Sequence, residues 1–387
     1  MANTLTGLVS TIYAGLDVVS RELIGFIPNV QRDAQAQSGA VNQTVRSPVV
    51  PAIAGENIVA GNVPADSGDQ TVNYVDVTIT KARAFPIRWT GEEQLSVTKD
   101  GVVNTILRDQ FSQAFRAATH EVEADLAALH IAASRANGTA GTTPFGTAAD
   151  LSDLANANRI LDDNGAPATG RSMILGGAAR ANLEGKHSEL FKVNESGDAG
   201  ALLRQRQMRQ LMGFTMGYSG GVVSFTKGTG ASATVDNTGY AVGATVLTLS
   251  SAGTGTILAG DVVTFAGDTN QYVVASGDAD VSGGGTITLA APGLRVAMSA
   301  ATKAITVVAS STRNLYFSNN AILLAARTPA MPEGGDDADD VMNVTDPVSG
   351  LTFQVALYRQ YRRIKYEIGL AWGVKMLKPE HCGILLG

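Results

Sequence analysis

GVVNTILRDQFSQAFRAATHEVEADLAALHIAASRAN, residues 101–137, is the stretch on which the fold turns. Val103, Leu107, Phe111, Ala114, Phe115, Ala118, Val122, Leu126 and Leu129 recur three or four residues apart, with no proline and no interior glycine. That period predicts one helix with a continuous apolar stripe. Asn137–Gly138 supplies its stop. At about 1.5 Å per residue the rod is roughly 50 Å long, against a usual helix of about eleven or twelve residues. No heptad with flanking charges accompanies it, so the stripe faces a core and not a coiled-coil partner.

Upstream, residues 71–89 carry two alternating patterns. Val75, Val77 and Ile79 interleave with Asp76, Thr78 and Thr80, and Phe85, Ile87 and Trp89 interleave with Pro86 and Arg88. A period of two predicts strands with one buried face, and Pro86 places the second at an edge or bulge. A two-stranded ribbon is marginal alone in water, so this one is expected to lean on something else. Residues 31–70, QRDAQAQSGAVNQTVRSPVVPAIAGENIVAGNVPADSGDQ, have no period at all. So long a loop is either disordered or an arm that finds its partners on another molecule. Leu5, Leu8, Ile12, Leu16, Val19 and Leu23 predict a short amphipathic helix before it, closed by Pro28.

Downstream, residues 150–219 read as mixed α/β. A helix over 150–163 ends at Asn164–Gly165, a strand follows at Ser172–Leu175, then a helix at Ala178–Leu183 and an amphipathic stretch over 199–212 with Arg204, Arg206 and Arg209. Of the 43 glycines, about fifteen fall between Gly220 and Gly293, where GVVSFT, TVLTLS, DVVTFA, QYVVAS, GTITLA and AITVVAS recur between glycine-rich turns. Such spacing predicts an all-β barrel or sandwich over 220–312, inserted in an outer body of residues 1–219 and 313–387. The apolar run within Asn314–Arg327, the acidic loop EGGDDADD (333–340) and alternating strands over 351–377 complete an α+β chain.

The chain of 387 residues is 44% hydrophobic and 17% charged, enough for real cores. Its 29 basic and 35 acidic residues, a net of −6, argue against a nucleic-acid-coating protein. Cys382 alone makes no internal disulfide, and four histidines support no zinc framework. No run approaches about eighteen apolar residues, so no membrane partner is expected. The N-terminus lacks a basic n-region, so the product is expected to be made in the cytoplasm.

Candidate chemistry is sparse. His120 and His130 lie ten apart and do not share a helix face. His187–Ser188 has no G-x-S-x-G elbow before it. Glu92–Glu93 suits a helix N-terminus, and Glu121, Glu123 and Asp125 read as solvating helix carboxylates. TKGTGAS and SGGGT lack the G-K-[ST] of a phosphate loop, and Asp336, Asp337, Asp339 and Asp340 lack the spacing of a calcium loop. No catalytic residue, metal site or cofactor is nominated, and no enzyme is expected. Arg359, Arg362, Arg363 and Lys365, interleaved with Tyr358, Tyr361 and Tyr366, suit acids on a neighbouring subunit better than phosphates in a chain of this net charge. Cys382 reads as packing.

Short helix, irregular arm, ribbon, long helix, mixed domain, closing strands: this order resembles that of the major capsid proteins of tailed bacteriophages, over nearly the whole chain. RNLYFSNNAILLAARTPAMP (313–332) looks like the family's axial-domain segment and YRRIKYEIGLAWGVKMLKPE (361–380) like its closing strands. LAGDVVTFAG (258–267), after TVLTLS, is similar to the β-barrel core of the subgroup typified by the coat protein of the short-tailed Salmonella phage. The resemblance implies an N-terminal arm (1–45), an extended loop with its ribbon (46–98), a spine helix and peripheral domain (99–149), a first axial part (150–219), an inserted barrel (220–312) and closing axial and peripheral strands (313–387).

It also implies hexamers and pentamers closing into an icosahedral virion shell in the host cytoplasm, around double-stranded DNA contacted without sequence specificity. A scaffolding protein and a portal are implied partners, with a decoration protein as a further one. Residues 1–45 and the ribbon are then expected to hold neighbouring subunits. Phe85 and Trp89 would be apolar anchors, Arg83 and Arg88 ionic ones, with Arg359, Arg362 and Arg363 at the second cluster, since aromatics and arginine dominate interfaces. The rival reading is a β-rich tail or adhesion protein that binds a host-surface glycan; the long helix speaks against it.

Overall fold

A computed structural model describes residues 25–33, 38–49, 73–98, 103–187, 210–346 and 349–387, with Ile12 and Ala60. The expected N-terminal helix, apart from Ile12, lies outside the described residues, as does nearly all of the stretch expected over 199–212.

The predicted apolar stripe folds as a helix over Val103–Ala127, with Leu107, Phe111, Phe115, Ala118, Val122 and Leu126 buried along one face. They meet a six-stranded sheet drawn largely from the C-terminal part, including Thr352–Gln360 and the long strand Arg363–Met376. Phe111 meets Tyr366 edge-on at 5.5 Å between ring centroids, and Phe115 meets Phe353 at 5.0 Å. Each such ring taken from water contributes about 1.5–3 kcal/mol.

The helix stops ten residues short of the predicted end. Ala128–Ala132 tighten into a 3-10 turn, and Arg135–Asn137 become a strand between Gln271–Ser276 and Cys382–Leu386. Long-range bonds outcompete the local period here. Ser134 donates to the Cys382 carbonyl from both its N–H (3.0 Å) and its hydroxyl (2.6 Å). The buried Arg135 guanidinium donates to the Ile160 carbonyl, Asp163 and Asn164.

The ribbon also differs from the expected hairpin. Asn73–Thr78 pairs antiparallel with Thr44–Val49, in the segment that showed no period. Lys81–Thr90 instead joins the six-stranded sheet along Arg363–Trp372, because Ile87 and Trp89 on its alternating face are covered by the sheet–helix core. The chain crosses between the two at Ile79–Thr80, where the Thr80 N–H donates to the Trp372 carbonyl at 3.1 Å. A side chain at Gly373 would collide with the Thr78 carbonyl, so glycine permits this crossing.

The arm is partly docked at home. Phe26 stacks on Phe317 at 6.0 Å, and Gln31–Arg32 adds a parallel strand beside Leu323–Leu324. Arg327 pairs with Asp33 at 2.6 Å. The anchor is Glu123 of the long helix, 3% exposed, whose carboxylate accepts the N–H groups of Phe26 (3.0 Å) and Ile27 (2.9 Å). It does not solvate the helix, as its spacing suggested.

Ser152–Asp163 and Gly177–Lys186 form helices close to their predicted bounds, and with the strand Arg171–Leu175 they supply a second apolar cluster that includes Phe214 and Tyr316. Within 220–312, strands Val262–Phe265, Lys303–Val307, Thr234–Val235, Val246–Leu249, Gly285–Leu289 and Gln271–Ser276 pair in that order, and the last returns to the first. The ring encloses its own cluster of Val235, Leu247, Phe265 and Ile287. Five of the six predicted runs join it. GVVSFT instead pairs at the root, Ser224–Phe225 against Ser311–Thr312.

Glu123→Ala leaves two buried N–H donors without an acceptor and is expected to cost about 1.5–3 kcal/mol in urea unfolding, with faster amide exchange at Phe26 and Ile27. Burial holds His130 and His381 below the ordinary imidazole value of 6.5. The unfolded chain therefore binds protons that the folded chain refuses, so stability is intact above about pH 6.5 and falls as the pH drops below it. Thermal midpoints are expected to decline over that window, less steeply in a His130→Asn/His381→Asn variant.

Candidate assembly surfaces

Among the described residues no three His, Cys, Asp or Glu side chains stand close enough to hold a metal ion, and no helix is long and apolar enough to cross a membrane. Cys382 is fully buried, which pushes its thiol up and away from reactivity. The helix carboxylates bond within the chain. Asp125 accepts from Lys81 (2.8 Å) and from the Trp372 indole N–H (2.8 Å), and Glu121 faces Lys81 and Arg83. Glu93 and Thr90 cap the helix Gly91–Thr98 reciprocally, at 2.8 and 3.3 Å.

Three features stand out at the surface. First is the ribbon. Val77 and Ile79 bury its base, Val77 in a small cluster with Leu323 and Ala325. Farther out Tyr74 is 57% exposed, with Arg46 at 5.3 Å from its ring and paired to Asp76 at 2.9 Å. Arg46 and Asp76 select each other's charged form: their hydrogen bond raises the arginine and lowers the carboxyl.

Second is the strand Lys81–Thr90. Among the described residues its outer edge has no strand partner. Phe85, Pro86, Ile87 and Arg88 line a groove of about 670 Å³ with Ile106, Asp109 and Gln110 of the long helix. Arg83 and Arg88 are exposed and Phe85 is half-buried. Trp89, expected to anchor a neighbour, is instead 7% exposed inside its own subunit, its indole N–H donating to Gln110 Oε1 at 2.7 Å. Strand alternation turns it inward with Ile87.

Third is the tip joining Thr352–Gln360 to Arg363–Met376. Tyr361 there is 89% exposed, and Arg362 takes φ +60° in the two-residue turn. The acidic loop folds back onto this hairpin beside its tip. Asp339 pairs with Arg359 at 2.9 Å, and Asp336 accepts the Tyr358 hydroxyl at 2.6 Å, a bond that lowers the Asp336 carboxyl. Arg359 is thus engaged within the subunit. Arg88, Arg362 and Arg363 have no ion-pair partner among the described residues. They share one end of the sheet, since Thr90 opposes Arg363 and the Gly91 N–H donates to the Arg362 carbonyl at 3.1 Å.

Sequence reasoning missed the pairing of Thr44–Val49 and the role of Glu123. A signal for the second existed: Glu123 sits between Val122 and Leu126, at the border of the apolar stripe.

No protein-family model matches the sequence, and no curated protein matches it. Solved structures do. The chain is similar to the capsid structure of the cyanophage P-SCSP1u, with a TM-score of 0.49 and 11% identity over 94% of this chain and 88% of that chain. It is similar to the capsid of Ralstonia phage GP4, at 0.45 and 10% over 92% and 86%. It is also similar to a virus-like particle from Pyrococcus furiosus, at 0.44 and 8% over 97% and 98%.

Proposed function

We propose that this chain is a shell subunit, the major capsid protein of a tailed bacteriophage, which assembles as hexamers and pentamers into an icosahedral virion shell around double-stranded DNA. The observation that carries this reading is the ribbon Thr44–Val49/Asn73–Thr78. It is rooted firmly by Val77, yet its outer part presents Tyr74 and an exposed Arg46–Asp76 pair to the surroundings. An isolated two-stranded sheet is marginal in water. Seated on a neighbouring copy it gains apolar area and a third partner, and closed symmetry repeats that contact around a ring.

The outer edge of Lys81–Thr90, without a strand partner among the described residues, supports the same reading, as do Arg362 and Arg363 at the hairpin tip, without an ion-pair partner among them. Phe85 and Arg88 line one contact and Arg362 and Arg363 another, where these three arginines face carboxylates of a sister subunit in a chain of net −6, while Arg83 stays with Glu121 of its own chain. Trp89 supports these surfaces from within, and Arg359 is held beside the tip by Asp339. Residues 220–312 form an inserted barrel domain on the shell subunit. A scaffolding protein and a portal belong to the assembly, with the protein's place in the virion and no catalytic role.

Tyr74→Asp is expected to leave the unfolding free energy of the isolated chain within about 0.5 kcal/mol of wild type. In sedimentation it shifts the chain from particles to free subunits. Arg362→Glu/Arg363→Glu is expected to behave alike. Particles at normal yield from both variants would contradict the assignment.

A further inference from the structure

The root of the β-ring, where the chain leaves and re-enters the outer body, gathers three buried polar side chains. Ser311 stands opposite Phe225 in the antiparallel register, and Arg313, two residues on, projects from the same face. The Arg313 guanidinium carbon lies 5.1 Å from the centroid of the Phe225 ring, and His130 meets that ring edge-on at 5.2 Å. Arg313 and Ser311 are each 2% exposed and His130 is 7% exposed. Among the described residues, Nε, Nη1 and Nη2 of Arg313, Oγ of Ser311 and Nε2 of His130 have no hydrogen-bond partner.

The phenyl ring addresses the guanidinium carbon and leaves the N–H edge without an acceptor. The opposite charge acting on Arg313 is Asp261. Its carboxylate is engaged by the backbone N–H groups of Gly228 (3.0 Å) and Leu258 (2.7 Å) and does not hydrogen-bond to the guanidinium. A buried guanidinium in this state is costly unless something accepts its protons. His130 narrows what that is. Its Nδ1 lies 3.2 Å from the Ala127 carbonyl, which only accepts, so Nδ1 carries the hydrogen and Nε2 of the neutral ring offers a lone pair.

We propose that this cluster binds a small oxyanion that still carries a proton, of the bicarbonate or hydrogen-phosphate class. Its charged oxygens lie on Arg313 and Ser311, and its O–H donates to His130 Nε2. A halide satisfies Arg313 but sets a negative charge against the Nε2 lone pair. The bound ion ties the 3-10 turn Ala128–Ala132 to the strand Ser311–Ser318, whose first residues pair with Ser224–Phe225, so it stiffens the root of the β-ring.

The test is thermal unfolding of the full chain at fixed pH and ionic strength, titrated separately with bicarbonate, phosphate and chloride. Bicarbonate or phosphate is expected to raise the midpoint with the logarithm of its concentration, as a ligand of the folded state does, and chloride is not. Arg313→Met, an apolar replacement of a buried charge, is expected to lose the response. Should that variant fail to fold, His130→Leu provides the second reading, with loss of the preference over chloride. A flat midpoint in every anion, an equal response to chloride, or a response that survives in Arg313→Met overturns the proposal.

Discussion

Phe111, Phe115 and Val122, on one face of the Val103–Ala127 helix, are held against Phe353, Tyr366 and the strands that carry them, and the other parts of the subunit take their positions from that contact. Apolar burial supplies the attraction, and two carboxylates supply the address. Asp125 fixes Trp372 and Lys81, and so the strand that begins at Lys81. Glu123 fixes Phe26 and Ile27, and so the arm. A hydrophobic stripe alone would tolerate sliding by a turn. Buried, directional bonds do not, because a slipped register leaves N–H donors without acceptors.

With the arm and the Lys81–Thr90 strand fixed at home, the subunit's unmet valences fall in a few places. The ribbon extends beyond its buried base, and among the described residues the Lys81–Thr90 strand keeps an open edge and Arg362 and Arg363 at the hairpin tip have no ion-pair partner. Isolated edges and exposed ribbons are hazards for a protein meant to remain single. Under the proposal that copies of this chain close a shell, they are the contacts. The chain is then closed at its cores and open at its margins, a finer division than an arm and ribbon that both depend on neighbours.

The long helix was legible because its period runs unbroken from Val103 to Leu126. Its end was not, since Leu129 continues the spacing while Ser134 bonds to a carbonyl 248 residues away. Alternation in Phe85, Ile87 and Trp89 announced a buried face but not what covers it; a sister subunit and the chain's own helix leave the same pattern. Thr44–Val49, with Pro48 and Arg46 among its residues, carries no strand period, and its partner Asn73–Thr78 is not adjacent in sequence. In the insert the longer Val, Thr and Ile runs were readable, whereas Thr234–Val235 is too short to register. Glu123 and Arg313 escaped because a charge that serves the interior looks, in sequence, like one that serves the surface.

The most direct measurement is hydrogen exchange at the amides of residues 44–49 and 73–76, compared between free subunits and assembled particles. Exchange close to that of an open two-stranded ribbon is expected in the free chain, with strong protection in the particle, while Ile79 and Leu107–Leu126 are protected in both. Equal protection of the ribbon in the two states would show that it is satisfied within a single chain, and would contradict the claim that sister copies complete it.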